Sequence, residues 1–212
     1  MRKHWLDDVS IELFSAALQK DQLLVGTSDT IIGFLAALTE KSKTFLDETK
    51  KRVDKPYIIL IGSLEKLDFF VDPQKSARVR PLLAACWPGP LTVIFKAKKE
   101  LPAWMKSPEG TIAIRVPAHA GLQKLLSHVV GLFSTSANVT GHSVPTTVAE
   151  LDPEILKRVI YVITEGGEGV GAELVQKKAP STIIDCTGPE IKVVRAGAFS
   201  IAQLKELSSL SI

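Results

Sequence analysis

The chain has 212 residues, 45% of them hydrophobic and 23% charged, and its 26 basic and 23 acidic side chains leave a formal net charge of +3. These values exclude a disordered chain and a miniprotein that needs disulfides or metal to fold. A charge this small does not by itself imply nucleic-acid binding.

The longest apolar runs, residues 57–62 and 159–163, fall far short of the ~20 residues of a membrane span. The start, Met-Arg-Lys-His-Trp-Leu-Asp-Asp, lacks the unbroken apolar region and small-residue cleavage site of a signal peptide. Cys86 and Cys186 have no CxxC partner, so two buried, reduced thiols in a soluble, cytoplasmic protein are expected. No linker or repeat divides the sequence, and residues 1–212 are read as one domain.

Leu13, Phe14, Ala17 and Leu18 recur at helical spacing and predict a helix over residues 9–19. Residues 23–26 and 31–37 read as strands, and the charge-rich residues 41–52 as a helix. Residues 57–61 form an unbroken apolar run, a strand buried on both faces. Ser63 is positioned to cap a short helix through Phe69. Residues 74–86 read as one helix that stops at Trp87-Pro88. Strands are predicted at 91–96, 111–116 and 132–135, with a helix at 122–126. A helix over 148–158 leads into a strand at 159–164. Residues 181–186 and 192–195 form a closing strand pair, followed by a helix over 199–207 capped near Ser200. Interleaved helices and strands give an α/β class, and strand pairs without intervening helices argue for a mixed sheet.

Several segments could carry chemistry. The glycine-rich Glu165-Gly166-Gly167-Glu168-Gly169-Val170-Gly171 follows a strand, but no helix follows it directly to hold a pyrophosphate. A mobile loop able to cover a site is the better reading. None of His4, His119, His128 and His142 has a second His or Cys at metal-ligand spacing. Ser134-Thr135-Ser136-Ala137-Asn138 ends a strand and offers short donors and acceptors to a phosphate or polar substrate, or forms a plain polar turn. No base lies near enough in sequence to make a nucleophile of these hydroxyls. Trp87-Pro88-Gly89-Pro90-Leu91-Thr92 is either a rigid corner or a corner that presents Thr92 and backbone groups to a ligand. Lys50, Lys51, Arg52 and Lys55 are either a solvated helix face or a triphosphate clamp.

In this order the segments resemble the YrdC-like family of L-threonylcarbamoyladenylate synthases. Residues 87–92 carry its W-P-G-P-hydrophobic-T, and Ser134 to Gly141 its S-T-S-A-N-x-x-G. Arg115-Val116-Pro117 with His119 matches R-V-P-x-H, and Ser181-Thr182-Ile183-Ile184-Asp185 matches S-T-[IV]-[IV]-D, ahead of Arg195-Ala196-Gly197. The blocks span about residues 23–197.

The resemblance implies a single α/β domain with a twisted mixed parallel and antiparallel sheet, flanking helices and a concave basic cleft. It implies a nucleotidyltransferase that forms threonylcarbamoyl-AMP and pyrophosphate from L-threonine, bicarbonate and ATP. Downstream threonylcarbamoyl-transferase proteins then modify a tRNA adenosine, and contact with tRNA is a further expectation. Carried over residue by residue, Lys50, Arg52, Thr92, Ser136, Asn138 and Arg195 would bind ATP. Ser28, Thr30, Arg115 and Ser181 would bind threonine. No side-chain nucleophile is implied, and Mg²⁺ would be held by the ATP phosphates rather than by side chains. The chain resembles the short form without an additional C-terminal domain. The competing readings keep the fold but make it an RNA-binding module or a handler of another carbamoyl-adenylate.

Two blocks depart from the family. In P-T-[DE]-T-[VI]-[YFW]-G-L the proline is Thr27 and the aromatic is Ile32. In K-x-R-P-x-x-[KN]-P, counting back from Lys55-Pro56 without a gap puts K-x-R on Thr49-Lys50-Lys51. A one-residue deletion puts it on Lys50-Lys51-Arg52 and loses the proline. The deletion keeps both charges and is preferred.

Overall fold

The computed structural model describes residues 1–5, 8–52, 56–165 and 179–207. Lys55 and the glycine-rich residues 166–171 lie outside them. Strand β1 (Arg2–His4) precedes helix α1 (Asp8–Gln19), then β2 (Leu23–Gly26) and β3 (Gly33–Ala37). Helix α2 (Glu40–Lys50) is capped by Thr39, whose hydroxyl accepts from Ser42 N–H at 3.0 Å. Strand β4 (Ile58–Leu60) leads to a 3₁₀ turn, then α3 (Pro73–Ser76), α4 (Arg80–Cys86), β5 (Leu91–Lys96) and β6 (Thr111–Arg115). Helix α5 (Ala120–Ser127), β7 (Leu132–Ser136), α6 (Pro153–Arg158), β8 (Val159–Thr164), β9 (Thr182–Asp185), β10 (Lys192–Arg195) and α7 (Ile201–Leu207) complete the order.

The expected elements form, with four corrections. The helix read over 74–86 breaks into α3, a 3₁₀ turn over Ala77–Val79, and α4. The cause is Pro81, which has no N–H to donate and crowds the carbonyl four residues back. The helix read over 148–158 breaks in the same way at Asp152-Pro153, leaving the turn Val148–Glu150 and then α6. Ser63 starts the turn Leu64–Phe69 but makes no side-chain cap bond. Strand β1 was not expected; it pairs in parallel with β8 at the sheet edge, and three residues are too few to show a period.

Among the described residues the strands form one mixed sheet in the order β1-β8-β2-β3-β7-β4-β6-β5-β9-β10. Alternation sorts its side chains onto two faces. Val25, Phe34, Ile59, Phe133, Val93 and Ile114 point to one face and join Leu46 of α2, Leu82 and Leu83 of α4, and Ile155 of α6. On the other face α1 and α5 bury Phe14, Leu18, Leu122, Leu125 and Leu126 against Leu24, Leu35, Leu60 and Leu132. These two helices cover only the half of that face nearer β8 and β2. Beyond β4, among the described residues, Ala113 of β6, Ile94 of β5 and Ile183 of β9 line an open cavity on this face. Among the described residues no helix is long and apolar enough to cross a membrane. Both cysteines are free and buried, and burial pushes the thiols up, Cys86 to about 11 and Cys186 to about 12.

Trp5 locks the covered half. A Cβ on Gly121 of α5 would lie 2.5 Å from the Trp5 Cβ, so only glycine lets the helix approach. Gly121→Ala should therefore cost about 1–3 kcal/mol of stability in urea unfolding through overpacking. Gly188→Ala, where a Cβ meets nothing within 4 Å, should stay within about 0.5 kcal/mol.

Candidate functional site

A cavity of about 410 Å³ opens on the face that carries α1 and α5, beside Leu122 of α5. Its floor follows from register. Leu35, Ser134, Ile58, Ala113 and Ile94 sit side by side on five successive strands. The floor is thus aliphatic with one hydroxyl, and Ile183 of β9 and Val194 of β10 extend it. A flat apolar group could lie on it with its polar parts reaching the ends of the strands.

The polar residues at the rim fall into two hydrogen-bonded clusters. The first is centred on Arg115, at the end of β6 and only 5% exposed. Its Nε donates to Gly89 O at 3.0 Å, its Nη1 to Thr30 Oγ1 at 2.8 Å, and its Nη2 pairs with Asp29 Oδ1 at 2.6 Å. Asp29 Oδ2 also accepts from Ala118 N–H at 3.0 Å. Ser28 Oγ donates to Ile31 O at 2.8 Å and accepts from Thr30 N–H at 3.1 Å. Across the cavity wall, Arg195 Nη2 donates to Ser181 O at 2.7 Å, and Ser181 Oγ lies 2.8 Å from Thr92 Oγ1.

The second cluster surrounds the end of β7. Lys50 Nζ donates to Ser136 O at 2.6 Å, Asn138 O at 2.7 Å and Asn138 Oδ1 at 3.2 Å. Ser136 Oγ donates to Asn138 Oδ1 at 2.6 Å, and Asn138 Nδ2 to His142 O at 2.6 Å. Arg52 lies over the Tyr57 ring at 4.8 Å and donates through Nη2 to Pro56 O at 2.9 Å. Tyr57 donates its hydroxyl to Asp47 Oδ1 at 2.6 Å.

Burial works against every one of these cations. It lowers Arg52, Arg115 and Arg195 from the usual guanidinium value, with Asp29 opposing the shift at Arg115 and Arg115 adding to it at Arg195. Burial first, and Arg52 second, bring the Lys50 ammonium down to about 8, so it stays charged at neutral pH.

Of the residues singled out in the sequence, Ser28, Thr30, Arg52, Arg115, Ser136, Ser181 and Arg195 line this cavity. Lys50, Thr92 and Asn138 do not. Lys50 is 2% exposed and grips the 136–138 turn from behind. Thr92 is fully buried beneath Ser181, and Asn138 stands behind Ser136. Arg52 faces the cavity, whereas Lys51 is an exposed, left-handed cap residue of α2 with φ 49°. Of the two cations that the one-residue deletion aligns with K-x-R, Arg52 faces the cavity and Lys50 does not. Ile32 packs into the core while Ile31 lines the cavity, so the lost aromatic leaves no gap in the wall. The sequence assigned no role to Asp29 or Tyr57, and placed Glu165 only at the start of a loop that could cover a site. Asp29 lay inside a quoted block, whereas Tyr57 and Glu165 act through contacts distant in sequence or on another element.

Residues 16–197 match the model of the Sua5/YciO/YrdC family, described as telomere recombination. A relative from Methanocaldococcus jannaschii is 32% identical over 199 residues, covering 92% of this chain and 88% of its own. One from Pyrococcus abyssi, named threonylcarbamoyl-AMP synthase, is 25% identical over 205 residues, covering 95% of this chain and 58% of its own. The crystal structure of Pyrococcus abyssi Sua5 complexed with L-threonine superposes with a TM-score of 0.82 at 25% identity, over 100% of this chain. This chain spans 60% of that one.

The Asp29–Arg115 pair can be tested without any ligand. Asp29→Ala leaves a buried guanidinium without its counter-charge and should cost about 3–5 kcal/mol in urea unfolding at neutral pH. A loss below about 1 kcal/mol would show that Gly89 and Thr30 suffice to hold it.

Proposed function

Because the chain belongs to the Sua5/YciO/YrdC family, we propose that it is an L-threonylcarbamoyladenylate synthase, a nucleotidyltransferase acting on L-threonine, bicarbonate and ATP. The observation that carries this reading is the convergence of Arg52, Arg115 and Arg195 with the hydroxyls of Ser28, Thr30, Ser136 and Ser181 on one cavity. The two clusters divide the substrates. The Ser28, Thr30, Arg115 and Ser181 cluster takes threonine, and the Arg52 and Ser136 cluster takes the nucleotide over the aliphatic floor. Arg195 stands at the junction, where a phosphate and a carboxylate would meet.

In this reaction the threonine nitrogen adds to the bicarbonate carbon and water leaves, giving a carbamate. A carbamate oxygen then attacks the α-phosphorus of ATP. The bond from that phosphorus to the bridging oxygen of the β-phosphate breaks, and pyrophosphate departs. The protein need supply no nucleophile. It holds the two reactants in line and places guanidinium charge where phosphate charge develops. The relatives' shared name and the threonine in the Pyrococcus structure support this assignment. Among the described residues the cavity lining contains no Asp or Glu. Mg²⁺, a hard cation that takes oxygen ligands, would therefore ride on the ATP phosphates and water, neutralising charge on the leaving group. Delivery of the product to tRNA by downstream transferases, in the cytoplasm, belongs to the same proposal.

The test is pyrophosphate release from ATP. It should require L-threonine and bicarbonate together. Release without either, or tight RNA binding with a steep salt slope and no turnover, would overturn the synthase reading. Arg52→Ala should lower kcat/KM for ATP by about 30- to 100-fold, the worth of a lost charge-assisted phosphate contact. Lys51→Ala should stay within about twofold. The reverse ranking would remove Arg52 from the nucleotide end.

A further inference from the structure

Trp5, Thr27, Glu165 and His119 form a hydrogen-bonded chain behind the threonine end of the cavity. Trp5 Nε1 donates to Thr27 Oγ1 at 3.0 Å, and Thr27 Oγ1 donates to Glu165 Oε1 at 2.9 Å. The direction is forced, because an indole N–H can only donate. His119 Nε2 lies against the same Oε1, and His119 Nδ1 accepts from Leu122 N–H at 3.1 Å. A neutral His119 must then carry its proton on Nε2 and give it to Glu165. One carboxylate oxygen thus receives two donors from two different loops. The indole also meets the imidazole edge-on at 5.2 Å, which holds the His119 ring in place.

Thr27 itself lines the cavity and is followed by Ser28, Asp29 and Thr30. The loop that carries His119 holds this turn a second time, through Ala118 N–H and Asp29. At position 27 the family pattern has proline, whose ring fixes φ. Thr27 lacks that constraint, but its N–H donates to Ile163 O at 3.1 Å and its hydroxyl to Glu165. A proline could make neither bond. In this chain, hydrogen bonds do the work that the ring does elsewhere.

We propose that Glu165 is a positioning residue for the amino-acid end of the cavity. By accepting from Thr27 and His119 together, its carboxylate fixes the 27–30 turn and so presents Ser28 and Thr30 to the substrate. This rests on the threonylcarbamoyladenylate reading for the identity of that substrate, though not for the network itself.

The test compares Thr27→Val, Thr27→Ser and Glu165→Ala in the full chain, with urea unfolding to confirm that each folds. Thr27→Val and Glu165→Ala should raise the KM for L-threonine by about five- to twentyfold and leave the KM for ATP within about twofold. Thr27→Ser keeps the hydroxyl and should restore the threonine KM. A rise in both KM values alike, or in neither, would overturn the proposal. Amide hydrogen exchange separates the hydrogen-bond network from the identity of the substrate. Faster exchange at Thr30 and Ala118 in Thr27→Val, at unchanged global stability, upholds the network even if the native chain releases no pyrophosphate, in which case the substrate reading alone fails. Unchanged exchange at both amides sinks the positioning role, whatever the turnover.

Discussion

The guanidinium of Arg115 joins its own strand to two other stretches of chain, and its burial is tolerable only because Asp29 balances its charge. Through Gly89 it fastens the Trp87–Pro90 corner, through Thr30 and Asp29 the turn after β2, and by its own backbone the end of β6. Each of these stretches looks like a local motif in the sequence. In the fold they are the donors and acceptors of one planar group. Removing the charge would leave Gly89 O without its donor and the Asp29 carboxylate without its counter-charge at the same moment, so the site and the fold share this element.

Lys50 plays a corresponding part at the other cluster. Its ammonium is surrounded by oxygens of Ser136 and Asn138, and it stabilises the turn rather than meeting solvent. That leaves Arg52, spread over Tyr57, as the cation with a face toward the cavity. Similarly, Thr92 supports Ser181 from below. In both places a residue expected to touch ligand instead holds one that can. The polar machinery is thus two layers deep, with Lys50 and Thr92 buried in the inner one.

Much of this was legible in the sequence. Unbroken apolar runs marked the buried strands, and β5, β8 and β10 keep the expected bounds. The helices failed where proline lay inside an apolar period, at Pro81 and Pro153. The period records which face is buried and says nothing of a missing N–H. The site residues were legible as blocks, but not their depth. Spacing cannot distinguish Ser181 from the Thr92 beneath it. Glu165 was legible only as the start of a glycine-rich loop, because its partners, Thr27 and His119, lie 138 and 46 residues away in the chain.

Alternation along the strands also separates two kinds of change. Ile59, Phe133 and Ile114 belong to the main core, while their immediate neighbours Ile58, Ser134 and Ala113 floor the hollow on the reverse face. A substitution at Ala113 reshapes what the hollow accepts and leaves the opposite side undisturbed. A single architecture can therefore drift toward new small molecules one residue at a time, with its folding already secured on the reverse of the same strands.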